Sequence, residues 1–241
     1  MFKWFFDTWL GHFLTSSIGK KVVMALTGLF LITFLAVHLA GNLQLLTADG
    51  GEAFNKYAFF MTNNPIIKFT SYGLYFFILL HAFQGIALWL QNRSARGDVG
   101  YAVKTNRVAS ASKSSIYMGS LGLVILAFIV LHMIQFWAQM KFTDNVLEIT
   151  YPDSPLAVKD LYTLVSGAYT ELWVVIAYVV SMVFIAFHLF HGFESAFQTL
   201  GLNHRKWTPL IKLVGRAYSI LVPLGFAVIP VYMYYQHIAQ S

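Results

Sequence analysis

Residues 22–46 read VVMALTGLFLITFLAVHLAGNLQLL, a stretch with no Asp, Glu, Lys or Arg. A helix needs about 20 apolar residues to cross a hydrocarbon layer of about 30 Å, so this stretch predicts a transmembrane helix. Four later runs have a similar length and apolar character. We therefore expect five transmembrane helices, at about residues 22–46, 66–90, 116–140, 172–198 and 210–235.

Composition supports the same fold class. Of the 241 residues, 58% are hydrophobic and 11% are charged, and the mean hydropathy is +0.63. Soluble domains carry about a quarter charged residues, so much of this surface must face lipid. We predict an all-α integral membrane protein with a single transmembrane domain over residues 1–241. Its first four helices would form an up-down bundle, and Pro223 and Pro230 would kink the fifth helix at the bundle's side.

The N-terminal segment 1–21 does not resemble a cleavable signal. It mixes Lys3, Lys20 and Lys21 with Trp4 and Trp9, and the apolar run that follows is too long for a signal core. This mixture is typical of a short amphipathic segment in the lipid headgroup region, here on the cytoplasmic side.

The distribution of the basic residues predicts how the chain is oriented in the membrane. The formal net charge is +6, but the cations lie between apolar runs, which argues against a nucleic-acid partner. Twelve fall on the N-terminal side of the membrane: Lys3, Lys20, Lys21, Arg93, Arg96, Lys104, Arg107, Lys113, Arg205, Lys206, Lys212 and Arg216. The other side has four: Lys56, Lys68, Lys141 and Lys159. Because cytoplasmic loops carry the excess of Lys and Arg, we expect a cytoplasmic N-terminus in a multi-pass protein.

The absence of cysteine excludes disulfides, iron–sulfur clusters held by this chain and covalently attached haem. Any haem would therefore be held non-covalently. The chain has eight histidines. His12 and His204 lie at the expected cytoplasmic interface and His237 lies at the outer end of the fifth predicted helix, where a surface role is the simplest interpretation.

The other five histidines fall inside predicted transmembrane helices. They are His38, His81, His132, His188 and His191. An ionisable side chain at membrane depth is costly and therefore suggests a functional site.

Four of these histidines lie at matched positions along their helices. Counted from the helix edges at Lys21, Asn64, Lys113 and Glu171, they come 17 (His38), 17 (His81), 19 (His132) and 17 (His188) residues later. At 1.5 Å per residue each lies roughly 25 Å along its helix. Because consecutive helices run in opposite directions, His38 and His132 would share the outer level and His81 and His188 the inner one, about 15 Å away.

Two facing imidazoles at one level suit the axial positions of a haem iron. A zinc site would need three or four ligands together, and simple hydrogen bonding between helices is a further alternative. His191 lies one helical turn beyond His188. It could replace His188 as the ligand, or contact a haem propionate or a quinone oxygen.

Several stretches resemble the cytochrome b membrane-anchor subunit of succinate dehydrogenase or fumarate reductase, in its five-helix, di-haem, single-subunit form. They are SSIGKKVVMALTG (16–28), HLAGN (38–42), LLHAFQG (79–85), HMIQFW (132–137) and FHLFHGFESAFQTLG (187–201). The resemblance covers most of the chain, and its specific part is the four helix histidines in their order and depth. His191 is a departure, since that family does not require a second histidine there.

The resemblance implies a role in succinate:quinone oxidoreduction in a bacterial inner membrane. A flavoprotein and an iron–sulfur subunit would sit on the cytoplasmic face and carry the dicarboxylate chemistry. Two haem b groups would connect them to a membrane quinone, commonly menaquinone in five-helix members. His81 and His188 would hold the proximal haem, and His38 and His132 the distal haem.

Other residues are candidates for quinone and proton chemistry, which needs a protonatable group near a haem edge. They are Glu52 and Glu171 on the outer side and His191 and Glu194 on the inner side. Arg205 and Lys206 could contact propionates, acidic lipid or an acidic protein, or could be ordinary positive-inside charges.

Two other functions compete with this one. The chain could be the di-haem b subunit of another quinone-linked oxidoreductase, or a haem-free transporter that uses the histidines as a proton relay. Transporters commonly show inverted repeats and broken helices at mid-membrane. No convincing repeat is present, and the four helices that carry the matched histidines lack proline in their cores.

Overall fold

The computed structural model describes residues 7–95, 117–152 and 156–240. These residues include five helices that are each long and apolar enough to cross a membrane. We call them spans 1 to 5: Ser17–Leu46, Pro65–Ser94, Met118–Phe142, Leu172–Thr199 and Thr208–Gln240. The predicted all-α membrane fold is confirmed.

Local capping explains why spans 1 and 2 begin earlier than predicted. The Ser16 hydroxyl accepts a hydrogen bond from the backbone N–H of Gly19 at 3.0 Å and starts span 1 at Ser17, not at residue 22. The last five residues of the predicted N-terminal segment, 17–21, therefore belong to span 1. Asn64 caps span 2, and Pro65 takes its first position, where a missing N–H costs nothing.

The other ends that the structure describes differ from the prediction by at most five residues. Span 2 continues to Ser94, span 4 ends at Thr199, and span 5 extends over Thr208–Gln240 without interruption at its prolines. The predicted kink in span 5 stays a prediction. The predicted start of span 3 at residue 116 lies outside the described residues, as do the basic residues Lys3, Arg96, Lys104, Arg107 and Lys113.

Spans 1 to 4 form the predicted up-down bundle. Span 1 packs against spans 2 and 4, and span 3 packs against the same two helices, so spans 1 and 3 face each other across a diagonal. Spans 2 and 4 occupy the other diagonal. Span 5 lies outside this ring against spans 4 and 1, and its Tyr218 hydroxyl donates to the carbonyl of Ile32.

A cap covers one end of the bundle. We define it as residues 47–64 and 143–171, which join span 1 to span 2 and span 3 to span 4. It contains a helix at Glu52–Asn63, a helix at Leu161–Ala168 and a two-stranded antiparallel hairpin of β1 (Glu148–Thr150) and β2 (Ala157–Lys159). We call the opposite end of the bundle the far end.

The hydrophobic core is concentrated where the cap meets the bundle. Its buried members come from span 1, span 4, span 5 and the cap: Leu45, Phe54, Val165, Tyr169, Val174, Val175, Tyr178, Ile229 and Met233. Gly41 contributes by lacking a side chain. A Cβ there would overlap the ring of Tyr57, so the cap helix packs directly on the span 1 backbone three residues after His38.

One buried amide ties the two halves of the cap together. Asn55 is only 1% exposed. It donates to the Tyr151 hydroxyl and to the Asp160 carboxylate, both at 2.9 Å, and accepts from the backbone N–H of Tyr162 at 2.9 Å. Partial burial would raise the pKa of Asp160, but hydrogen bonds from Thr163 and Asn55 outweigh it and hold that pKa below its ordinary value.

We predict that Asn55→Ala destabilises the protein by about 2–4 kcal/mol. It removes three hydrogen bonds and leaves buried polar partners unsatisfied, at a cost of roughly 1–3 kcal/mol per group. Thermal unfolding in detergent would measure the loss. Asn63→Ala is the matched control, because Asn63 lies in the same helix but is exposed, and its amide donates to the Phe59 carbonyl and to the adjacent Thr62. Equal melting temperatures for the two variants would contradict the prediction.

Candidate functional site

Four spans each bring one histidine to the interior of the bundle. The imidazole rings of His38 and His132 face each other with centroids 5.8 Å apart and planes at 81°. The rings of His81 and His188 face each other at 6.3 Å and 73°. We call these the cap pair and the far pair. Each pair joins spans on opposite corners of the bundle, and all four histidines are partly buried.

The two pairs occupy different levels of the bundle. Thr27 contacts His81 of the far pair, and His38 of the cap pair lies 11 residues further along the same helix (38 − 27). At 1.5 Å per residue this separates the levels by about 16 Å. Span 4 repeats the measurement, because Tyr178 contacts His132 and His188 lies 10 residues on (188 − 178), or about 15 Å.

Aromatic rings enclose the cap pair. Phe34 stacks on His38 with centroids 5.3 Å apart and planes at 14°, and Phe226 of span 5 lies 5.4 Å from the same ring. Around His132 lie Phe128 at 6.0 Å, Phe136 at 5.3 Å and Tyr178 at 6.1 Å. Such packing restricts both imidazoles and keeps water from them.

A π-helical segment follows His132 directly. It covers Met133–Ala138 within span 3. Segments of this kind insert an extra residue into a helical turn and are frequent at functional sites. Here the segment carries Gln135 and Phe136, which both contact Tyr178 of span 4.

The Nδ1 atoms of the four histidine rings differ in their hydrogen-bond partners. The Nδ1 atom lies 3.1 Å from the Thr27 hydroxyl in His81, 3.4 Å from the Tyr178 hydroxyl in His132 and 3.2 Å from the Asn42 amide nitrogen in His38. The Nδ1 atom of His188 is buried and has no hydrogen-bond partner in the described part of the chain.

Each pair can act as a two-coordinate nitrogen site. Two metal–imidazole bonds of about 2 Å each, with the half-widths of the rings added, put ring centres about 6 Å apart. Within residues 7–95, 117–152 and 156–240 no three His, Asp or Glu side chains come together in a way that could hold a metal ion. Two opposed ligands therefore suit an ion whose remaining positions are filled by a macrocycle better than they suit zinc.

His191 and Glu194 lie together near the far end of span 4. His191 is partly buried, one turn beyond His188. Glu194 forms an ion pair with Lys212 of span 5 at 2.8 Å and accepts a hydrogen bond from Gln198 at 2.9 Å. Glu194 is thus already committed to joining spans 4 and 5.

The remaining candidates lie further from the two pairs. Glu52 is in the cap and forms an ion pair with Lys56. Glu171 precedes span 4, is exposed and forms no side-chain capping hydrogen bond. Arg205 and Lys206 are exposed in the turn between spans 4 and 5. The helix from His188 to Thr199 is about 16 Å long, so the structure does not bring these two cations to either pair.

His12, His204 and His237 are exposed, in keeping with the predicted surface role. Thr27, Asn42, Gln135 and Tyr178 are site residues that sequence reasoning missed. Asn42 could have been found, since it lies four residues after His38 and hence on the same helix face. Thr27 and Tyr178 contact histidines of other helices, and only the packing of the bundle reveals them.

Comparisons of this chain with protein-family models, with curated proteins and with solved structures found no match.

Proposed function

We propose that this chain is the haem b membrane anchor of a succinate:quinone oxidoreductase. It would hold two haem b groups and pass electrons between an iron–sulfur subunit and a membrane quinone, with menaquinone as the expected quinone. The dicarboxylate chemistry would take place on other subunits.

One observation carries this proposal: two facing imidazole pairs lie about 15 Å apart along one four-helix bundle. Haem in these positions would supply one-electron transfer. His38 and His132 would hold one iron from spans 1 and 3, and His81 and His188 would hold the other from spans 2 and 4. The partial burial of the four rings supports the same proposal, because limited access of water favours retention of the imidazole ligands.

Quinone chemistry would require proton exchange at one end of the bundle. Glu171 and Glu52 serve as candidates at the cap end. Glu171 lies seven residues, about 10 Å, before Tyr178, which contacts His132. His191 and Glu194 are the candidates at the far end. Glu171 is the most accessible of the four, since it is exposed and the other three are partly buried. Glu52 and Glu194 also form ion pairs with Lys56 and Lys212.

The proposed topology follows the charge distribution. The far end would face the bacterial cytoplasm, because twelve of the sixteen Lys and Arg residues fall on that side. The flavoprotein and iron–sulfur subunits would bind there, next to the far pair as the proximal haem site. Arg205 and Lys206 would then contact lipid headgroups or an acidic protein surface. They would contact a haem propionate only if their side chains spanned much of the distance to the far pair.

Purified protein from haem-replete cells tests this proposal. We expect a reduced-minus-oxidised spectrum with the α-band of a b-type cytochrome and a content of two haems per chain. Copurified flavin and iron–sulfur subunits are expected from the native host.

Two outcomes would contradict the proposal in different ways. A spectrum without a Soret band would leave a haem-free function such as transport. Two haems with an associated molybdenum subunit, in place of a flavoprotein, would favour another quinone-linked oxidoreductase.

A further inference from the structure

We infer that Thr27 and Tyr178 are positioning residues for two of the four histidines. Their hydroxyl oxygens accept hydrogen bonds from the Nδ1–H groups of His81 and His132, so that Nε2 of each ring is left unprotonated and free to bind iron. This inference rests on the proposed function and deepens it.

The direction of the Thr27 hydrogen bond follows from what its hydroxyl already does. Thr27 Oγ1 lies 2.8 Å from the carbonyl oxygen of Val23 and 3.2 Å from that of Met24. Carbonyl oxygens only accept, so the single hydroxyl proton is donated within span 1. The contact of 3.1 Å with His81 Nδ1 must then use an oxygen lone pair, and the proton between the two atoms belongs to the imidazole.

Span 1 also limits the tilt of the same ring. A Cβ on Gly28 would lie 3.4 Å from His81 Cε1, so the ring rests almost against the helix backbone. A hydroxyl and a glycine at consecutive positions thus set both the tautomer and the orientation of His81. This is the usual arrangement for a metal-ligating histidine, whose other nitrogen donates to a fixed acceptor.

The Tyr178 hydroxyl is committed in the same manner. It donates to Gln135 Oε1 at 2.8 Å, and the neighbouring Nδ1 of His132 lies 3.4 Å away. The remaining lone pairs of the hydroxyl accept from His132 Nδ1–H. The π-helical segment that carries Gln135 therefore has a specific role, because it brings the acceptor of the tyrosine proton to span 4.

The other ring of each pair, that of His38 or His188, has a different environment at Nδ1. The Asn42 amide nitrogen donates to the His38 carbonyl at 2.8 Å and also lies 3.2 Å from His38 Nδ1. An amide nitrogen has no lone pair to accept a hydrogen bond, so it gives a proton on His38 Nδ1 no acceptor. His188 Nδ1 has no partner among the described residues. Each pair therefore combines one ring whose proton is held by a hydroxyl oxygen with one ring that lacks such an acceptor.

This asymmetry has a measurable consequence for redox potential. An imidazole that donates from Nδ1 is a more basic ligand at Nε2, which favours ferric over ferrous iron. Loss of the acceptor should reduce the preference for the ferric state by up to about tenfold, which is about 59 mV for a one-electron couple. The potential should rise, and only for the haem of the affected pair.

The test is a redox titration of the purified two-haem protein with four single variants. Thr27→Val should raise the midpoint potential of one haem and leave the other unchanged, whereas Thr27→Ser should behave like the wild type. Tyr178→Phe should raise the potential of the other haem. Tyr218→Phe is its matched control, since the Tyr218 hydroxyl donates to a span 1 carbonyl, that of Ile32, and has no histidine contact in the described structure.

The outcomes separate this inference from the proposed function. Two haems with wild-type potentials in both Thr27→Val and Tyr178→Phe would overturn the inference and leave the haem function intact. A shift in Thr27→Ser as large as that in Thr27→Val would also overturn it. Wild-type protein without haem would overturn both. If Thr27→Val does not assemble, Thr27→Ala is read by the same criteria.

Discussion

Replacement of His81 by alanine is expected to lower the haem content from two per chain to one. His81 provides one half of the far pair, and its ring centre lies 6.3 Å from that of His188. Under the proposed function, this substitution would leave His188 as the only imidazole of the far pair, and one ligand in place of two would hold a haem less tightly. The cap pair is about 15 Å away on other spans and should keep its haem. Haem quantification per chain, with the reduced-minus-oxidised spectrum, measures the loss.

The complementary variant is His38→Ala, which should remove the other haem. Spectra of the two single-haem proteins should differ, because aromatic rings such as Phe34 surround the cap pair, whereas Thr27 and Gly28 lie against the far pair. His237→Ala is the matched control, since His237 is exposed at the end of span 5. Loss of both haems from either substitution, in a protein that still elutes as a folded species, would contradict two independent sites.

The five spans could be predicted from the sequence because lipid imposes one simple requirement: about 20 apolar residues in succession. The ends of the spans were harder to predict, because the position where a helix starts depends on which polar side chain caps it. Ser16 and Asn64 perform that role here, and neither belongs to an apolar run.

The cap was the largest feature that sequence patterns did not indicate as helical. The helix Glu52–Asn63 has no long apolar run, and it packs mainly through Phe54, Tyr57 and the buried Asn55. A polar residue that is fully buried gives no hydrophobic signal. Its place is decided by partners 96 and 105 residues away, Tyr151 and Asp160.

The candidate site, too, could be predicted from the sequence only in part. The matched depths of the four histidines could be read from spacing, because helix rise converts residue number into distance. The hydrogen-bond partners of their rings depend on how each helix is rotated about its axis. Thr27 and Tyr178 each lie within an apolar stretch of sequence, and no pattern in the sequence predicted the π-helical segment Met133–Ala138. Those features became visible only with the packed bundle.

The sequence alone did not decide whether His188 or His191 is the histidine that pairs with His81, because the two lie one helical turn apart. Successive residues on a helix advance by 1.5 Å and 100°, so His191 sits about 4.5 Å further along and roughly 60° round from His188. The ring that faces His81 is that of His188, and His188 Nδ1 is buried. His191 lies toward the far end, three residues before Glu194 on the same helix, a spacing that puts the two side chains on neighbouring turns.

We therefore expect His188→Ala to remove the haem of the far pair and His191→Ala to retain two haems per chain. Both variants are measured by haem quantification and by redox titration, with His204→Ala as the control because His204 is exposed near the same end of the bundle. A modest change in one midpoint potential in His191→Ala is consistent with a nearby, non-ligating imidazole, since it removes a polar group one turn from the site. The reverse result, one haem in His191→Ala and two in His188→Ala, would show that the far pair is His81 with His191. It would also require span 4 to rotate by roughly 60° relative to the structure described above.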